Sequence, residues 1–531
     1  MHKSCQTSAG VVKLLTHDYA KSGNYARKSL QSRTGAAERE RMTTVEKKYK
    51  FAGAAFWLAA FVFLCVFFSV IHPLQVWDGD DWLYISWHRN AYPLWKAWNP
   101  SRILPETFMS MVAGVGIYAV YPFTKDYLQS ITLINALAIS LSIVVYMYMF
   151  FRLVKNRSDA GKLTTYMLTA FFLLFHFSIF RRFRSDNTYL FYASNLTGYF
   201  FYVLPNVLNA SLVLYFMGNK DGSFLTGKKR DGLVILLVYL AVFSDFFQTI
   251  ILISYMGARI LFDLIKNKKV CKSMIFPASV IVVWFISIFF EVNGGRAASN
   301  SGQIPLSESI KLFFGWTSSL NLQTAALMAG VTVLGIIMLV IKKKKDREEV
   351  KPVWEQALVA VTCAVVSSVF LILLCSVTGS EHMQRSGVIF AVAFFGFIIA
   401  FMAALAVLKD FPRGMIVMPL LFYILFSNTY FGTHTFRETN WQGYSPAVCK
   451  ALMDDYIEQL KEADECGETS VNLRVPEFFF EADGDNWPHA YGMGNAMADT
   501  LYAHGVLTHE MDVTVCPDPS MNEEYHLDLY E

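Results

Sequence analysis

The chain has 531 residues, of which 54% are apolar, 15% aromatic and only 17% charged, with 45 Phe and a formal net charge of +3. Soluble domains carry about 25% charged residues, so this composition excludes a disordered chain, a disulfide scaffold and most soluble enzymes, and leaves a polytopic membrane protein. The small net charge hides a split. From Phe431 onward there are 4 Lys/Arg and 20 Asp/Glu, or −16, against 42 and 23, or +19, in the rest; charges this well sorted indicate two compartments.

Residues 1–50 read as a cytoplasmic basic leader. The first 41 lack apolar periodicity and a signal-peptide core, so no cleaved signal is expected. They are predicted to be disordered or an upstream extension, because Met42 opens MTTVEKKYK, a short basic lead with the form of a natural start. A bilayer core takes roughly 20 mostly apolar residues per helix. Such stretches occur at 51–71, 128–151, 163–180, 197–217, 273–290, 320–341, 354–377, 388–408 and 413–430. The stretch 232–264 is too long for one span, short for two and interrupted at Ser244-Asp245, which predicts a tight helical hairpin. The fold class is thus an all-α polytopic membrane bundle of about eleven transmembrane helices over 51–430, with a small external α/β C-terminal domain over 431–531.

Orientation follows from Lys and Arg near the span ends. Basic runs at Lys47–Lys50, Arg152–Lys162, Lys220–Arg230, Arg259–Lys272, Lys342–Arg347 and Lys409–Arg413 fall on one side only if residues 105–123 do not cross. That apolar, Pro-bounded segment is therefore read as an external membrane-surface or re-entrant helix. The N-terminus is then cytoplasmic and the C-terminus external, in a multi-pass plasma-membrane protein.

The external loops are 72–127, 181–196, 291–319, 378–387 and the tail from 431. The first carries Trp77-Asp78-Gly79-Asp80-Asp81-Trp82, then Trp87-His88-Arg89 and Trp98-Asn99-Pro100-Ser101-Arg102. Carboxylates this close repel one another, so the cluster means a bound cation, a raised pKa or solvation. Trp77 and Trp82 suit an interfacial belt or sugar-stacking platforms. Arg182 and Arg184, Arg296 in Asn293-Gly294-Gly295-Arg296, and His382 with Arg385 run against the positive-inside bias. Arg forks bind phosphate bidentately, whether free or on a lipid headgroup.

After the Arg triplet come Asn195-Leu196-Thr197, Tyr199, Tyr202, Asn206 and Asn209. Polar groups entering a span line a cavity or bond between helices; Asp245 and Gln248 at the hairpin tip leave the same two readings open. Asn195-Leu-Thr also fits a glycosylation sequon.

In the tail, Ser445-Pro446 is an N-cap and first-turn pair for a helix from Ala447 to near Gly467. Strands are predicted at 470–480 and 511–516, with a helix at 495–504 between them. Cys449 and Cys466 lie too far apart along one helix to pair, while a bridge to Cys516 is allowed. Asp483-Gly484-Asp485 through His489 reads as a polar loop tip or a cation or glycan site. There is no P-loop, GxGxxG, HExxH or GxSxG.

These residues resemble those of the GT-C class, polytopic glycosyltransferases with an acidic motif in the first external loop and a polyprenyl-phosphate-linked sugar donor. The chain looks like the bacterial, largely uncharacterised, glucosyltransferase-like members. The matching pieces are Asp78-Gly-Asp80-Asp81, Trp98-Asn-Pro-Ser-Arg102, the Asn206/Asn209 helix, Asn293-Gly-Gly-Arg296 and His382-Met-Gln-Arg385. The resemblance covers residues 45 to 430 and is one of layout more than of strict motif. It implies that Asp80 or Asp81 is the general base or ligates a divalent cation (Mg or Mn), and that external arginines hold the lipid phosphate.

The chemistry fits independently. Transfer from a phosphate leaving group needs a base for the acceptor and positive charge for the departing phosphate. Asp80 or Asp81 is the expected base. Asp78, Arg102, Arg182, Arg184, Asn206, Arg296, His382 and Arg385 are the expected substrate-binding residues, with the tail on the acceptor side. Expected partners are the lipid bilayer, the lipid-linked donor and a cell-envelope glycan or lipid acceptor, with no nucleic acid. Rival readings are a polysaccharide polymerase or ligase, a transporter or flippase of lipid-linked glycans, and a non-enzymatic assembly partner. Of the ionisable groups a transporter needs at mid-depth, His176 and Asp245 are the main candidates.

Overall fold

The computed structural model describes residues 51–86, 98–158, 160–180, 188–219, 223–227, 229–294, 303–345, 347–430, 439–440, 444–477 and 493–527. The leader, Trp87-His88-Arg89, Arg182, Arg184, Arg296 and the Asp483–His489 motif lie outside them. The chain divides into two compact units, Met1–Phe63 and Leu64–Glu531. The first is described from residue 51 on, as apolar helix in which the Phe56 and Trp57 rings meet edge to face at 5.1 Å.

The architecture is a helical membrane bundle. In chain order the helices are α1 (Phe51–Ile71), α2 (Gly79–Ser86), α3 (Pro100–Thr124), α4 (Tyr127–Arg157), α5 (Lys162–Ser178), α6 (Leu196–Met217) and α7 (Arg230–Val242). Then come α8 (Phe246–Asn267), α9 (Ile275–Val292), α10 (Leu306–Gly315), α11 (Leu322–Lys345), α12 (Arg347–Thr378), α13 (Ser386–Asp410) and α14 (Met418–Tyr430).

Among the described residues, nine helices are long and apolar enough to cross a membrane. They differ from the sequence expectation in two ways. The helices α5, α7 and α14 have 17, 13 and 13 residues; 13 residues rise only about 20 Å, short of a hydrocarbon core of roughly 30 Å. Conversely, Pro100–Thr124 qualifies by length and composition.

Polar contacts tie both ends of α3. At one end Arg102 Nη1 donates to Tyr84 on α2 at 2.6 Å. At the other, the Tyr118 hydroxyl reaches the Ala503 carbonyl at 3.5 Å and Asp126 pairs with Lys450 at 2.9 Å. Tyr84 lies on the same short helix as Ser86, which bonds Thr500 at 2.7 Å, so the C-terminal segment touches one end of α3 directly and reaches the other only through α2. Met111, Val115, Tyr118 and Phe123 leave an exposed apolar stripe between them. A Cβ on Gly116 would stand 3.2 Å from the Ser130 carbonyl, which is how α3 comes close to α4.

Helix ends follow local chemistry. Lys125, at φ 57°, makes the turn out of α3, and Asp126 caps α4 by accepting from Gln129 N at 2.9 Å. The hairpin break expected at Ser244-Asp245 is real: α7 stops, and Asp245 caps α8 by accepting from Phe247 N at 3.0 Å. At the opposite end of the bundle, α4 caps α6. Arg152 donates to Tyr215 O at 3.2 Å, Asn156 to Gly218 O at 3.1 Å and Arg157 to Met217 O at 2.7 Å. These basic groups satisfy the orphaned carbonyls of a helix C-terminus.

In the C-terminal segment the expected helices and strands occur, but the first strand ends at Val475, short of the expected 480. Helix α15 (Pro446–Glu465) starts on the Ser445 cap, which accepts from Val448 N at 3.4 Å, and ends before Gly467, whose φ is 72°. Strand β1 (Ser470–Val475) pairs in parallel with β2 (Asp512–Pro517), Ser470 opposite Asp512. Helix α16 (Met493–Ala503) lies on the crossover and α17 (Pro519–Glu524) follows. Parallel strands need such a crossover, which makes this a βαβ unit. Cys466 and Cys516 are both thiols, so the allowed bridge to Cys516 is not formed.

Candidate functional site

The functional residues expected from sequence that are described fall in two groups, one on and beside α2 against the C-terminal segment and one around the start of α13. The short helix α2 opens on Asp80 and Asp81, and its three neighbouring carboxylates have different surroundings. Asp81 is fully buried. Its Oδ1 accepts from Thr197 N at 2.7 Å and from the Thr197 hydroxyl at 2.6 Å, and its Oδ2 accepts from Trp77 N and Asp78 N, each at 3.1 Å. Asp78 is half-buried; it accepts from Asn195 Nδ2 at 3.1 Å and from Asp80 N at 3.2 Å. Asp80 is the exposed one.

Burial, and then the charge of Asp78, pushes the Asp81 carboxyl up to about 7 against the pull of its hydrogen-bond donors. Three of those donors are backbone N–H groups that can only donate. The Thr197 hydroxyl alone can reverse its role and accept a proton-bearing Asp81. Because the folded value lies above the ordinary 3.8, the stability this group contributes is full below about pH 4 and is lost as pH rises through about 7. Wild-type protein should therefore lose melting temperature between pH 5 and 8 more steeply than Asp81→Asn. Parallel pH–melting curves for the two proteins would refute that assignment.

Helix α16 holds α2 from the other side. The Thr500 hydroxyl sits 2.7 Å from both Trp82 O and Ser86 Oγ, and Gly79 faces Met493, whose Cβ is 3.5 Å from where a Gly79 Cβ would stand. Trp82 stacks on Tyr127, rings 5.9 Å apart and 4° from parallel, and Tyr127 bonds His504 at 2.8 Å. Trp77 and Trp82 are both buried, so neither is an interfacial belt residue or an open sugar platform; they are core of this junction.

The cationic residues are also engaged. Arg102 donates to Tyr84 and, at 3.1 Å, to the buried Glu106, and its guanidinium lies 5.6 Å from the Phe201 ring. Arg385 donates to the Tyr202 hydroxyl and lies over that ring at 5.2 Å. His382 packs against Phe247 at 5.1 Å. Asn206 donates to Gly387 O at 2.7 Å, and Ser386 to Tyr192 O at 3.1 Å.

Helix α6 thus joins two groups of expected site residues. Thr197 grips Asp81 and Tyr202 grips Arg385, and the two lie about 8 Å apart along the helix axis. Sequence reasoning singled out neither as a site residue, although the run of polar groups entering this helix was the signal. Tyr84 and Glu106 were missed as well; their partner, Arg102, is the only trace they leave in the sequence. The Asn195-Leu-Thr197 sequon is buried, and both polar residues bond into the acidic cluster.

His176 and Asp245 have structural partners. His176 bonds Phe172 O at 2.7 Å and the Tyr146 hydroxyl at 3.1 Å, and stacks on Phe191 at 4.7 Å. Asp245 caps α8. Among the described residues, no three His, Cys, Asp or Glu form a metal-binding group. Compared with known proteins, the chain matches no family, no curated protein and no solved structure.

Proposed function

We propose that this chain is a GT-C-type membrane glycosyltransferase, moving a sugar from a polyprenyl-phosphate-linked donor to a cell-envelope glycan or lipid acceptor. The observation that carries the reading is the pairing on α6, where the helix that pins the first-loop acids also holds Arg385. One helix thus supports both charges that transfer from a sugar phosphate calls for, a carboxylate for the acceptor and a guanidinium for the leaving group. In the proposed topology the N-terminus is cytoplasmic and the acidic C-terminal segment extracytoplasmic. The basic helix ends of α4 and the acidic α15 lie at opposite ends of the bundle, in keeping with it.

In this scheme the acceptor hydroxyl gives its proton to Asp80 while its oxygen bonds the anomeric carbon. The bond from that carbon to the phosphate oxygen breaks, and polyprenyl phosphate leaves with its charge met by Arg385 and Arg102. Asp81, with both oxygens occupied by protein donors, serves as the pin that orients Asp80. A divalent cation, Mg or Mn, would sit on Asp78 and Asp80 rather than Asp81, and would add positive charge at the phosphate. Arg182, Arg184 and Arg296 belong to the proposal on sequence grounds alone. His382 and Asn206 act as supports, through Phe247 and Gly387 respectively.

Asp80→Asn is expected to cut glycan transfer at least about 100-fold, the usual worth of a general base. Because Asp80 is exposed, melting should stay within about 0.5 kcal/mol of wild type. Transfer measured with polyprenyl-phosphate sugar in reconstituted membranes decides it: full activity in Asp80→Asn removes this carboxylate from the chemistry.

A further inference from the structure

A second polar junction lies beside Gly387, where three helices are interrupted together. Helix α6 passes through a π-helical turn at Tyr199–Val203 before Pro205, α7 gives way to α8 at Phe243–Asp245, and α13 begins afresh at Ser386. Asn206, Asn209 and Gln248 meet there, each at most 1% exposed.

Their amide nitrogens are committed. Asn206 and Gln248 both donate to Gly387 O, at 2.7 and 3.5 Å. Asn209 donates to Pro205 O at 2.9 Å and reaches Ala241 O and Ser244 Oγ at 3.4 Å. The carbonyl partners fix which end of each amide is nitrogen, since a flipped amide would set oxygen against oxygen. That leaves Asn206 Oδ1, Asn209 Oδ1 and Gln248 Oε1 buried with no hydrogen-bond partner. Three acceptors are thus in deficit at one junction, a standing cost to the fold if nothing answers them.

A guest that answers only acceptors is a cation. Neutral oxygens in broken-helix junctions suit a monovalent ion, which they strip of water, whereas a divalent ion calls for several carboxylates. One carboxylate is at hand: Asp245, 8% exposed, in the α7–α8 break next to Ser244.

We infer that this junction binds one monovalent metal cation of about the size of sodium, held by the side-chain oxygens of Asn206, Asn209 and Gln248 and balanced by Asp245. The site is independent of the glycosyltransferase reading and would stabilise the fold whatever the chain transfers.

The test is thermal melting of the detergent-solubilised full chain in sodium, potassium or choline chloride at one fixed ionic strength. A saturable rise in melting temperature with sodium or potassium, unmatched by choline, is expected. Gln248→Met should abolish that rise. Gln248→Glu, which keeps the oxygen, gives up only the 3.5 Å contact to Gly387 O and adds a charged ligand, should lower the half-saturating cation concentration about tenfold; this variant decides the matter where Gln248→Met does not fold. Coincident curves in all three salts would overturn the inference and give the three oxygens to buried water. A cation effect that survives in Gln248→Met, or is unmoved in Gln248→Glu, would place it elsewhere and overturn it equally.

Discussion

Replacing Asp81 with Ala should cost about 4 kcal/mol of folding stability, because four donors lose one shared acceptor. The size follows from what is stranded. Trp77 N, Asp78 N and the Thr197 amide and hydroxyl all lose their acceptor at once, in a place water does not reach. Each buried donor left unmet is worth about 1–3 kcal/mol, and shared relaxation keeps the total below their sum. Asp81→Asn should lose less, because its amide oxygen still accepts on one side. The contrast with Asp80 is the useful part. One carboxylate of the motif should govern melting and its neighbour turnover, so measuring both quantities on both variants separates the roles. Wild-type melting in Asp81→Ala would show that the buried carboxylate is not the fastening described here.

The second large effect is expected far from the site. Gly335 on α11 faces Ala403 on α13 so closely that a Cβ there would stand 2.5 Å from the Ala403 Cβ and 2.7 Å from its Cα. No side-chain rotation relieves a clash with backbone, so the two helices must part. Small residues at such crossings let membrane helices approach, and overpacking typically costs 1–3 kcal/mol. Gly335→Leu should sit at or above about 3 kcal/mol, with unfolding in detergent shifted accordingly, while Gly330→Ala, which meets nothing within 4 Å, serves as the neutral control. Equal melting of the two variants would contradict the close crossing.

Much of this was legible in the sequence, and the reasons are local. Apolar runs mark α1, α4, α6 and α12 because burial in lipid demands them. The break at Ser244-Asp245 was visible because Asp is costly inside a span and stabilising at a helix N-terminus. Ser445-Pro446 and the glycine at 467 framed α15 for the same kind of reason. What sequence could not separate was the three acids. Asp78, Asp80 and Asp81 are chemically alike in the chain, and only the arrival of Thr197 and Asn195 from 116 and 117 residues away distinguishes pin, bracket and open carboxylate. The tryptophans were misread by the same omission, because Trp82 is covered by Tyr127 from a separate helix. Arg102 shows the limit most sharply: its sequence position does not tell that Glu106, one helical turn on, and Tyr84 hold its guanidinium.

The bond between Thr500 and Trp82 also carries information about time. Its two ends are 418 residues apart, and a ribosome adding about 5–20 residues each second needs roughly 20–80 s to make what separates them. Throughout that interval the acidic loop has emerged but lacks the helix that seats against it. Its final arrangement must therefore wait until translation is nearly finished, after most of the spans have entered the bilayer. A chain cut short before residue 493 would insert, yet would keep its acidic loop in the unfinished state in which every nascent copy begins.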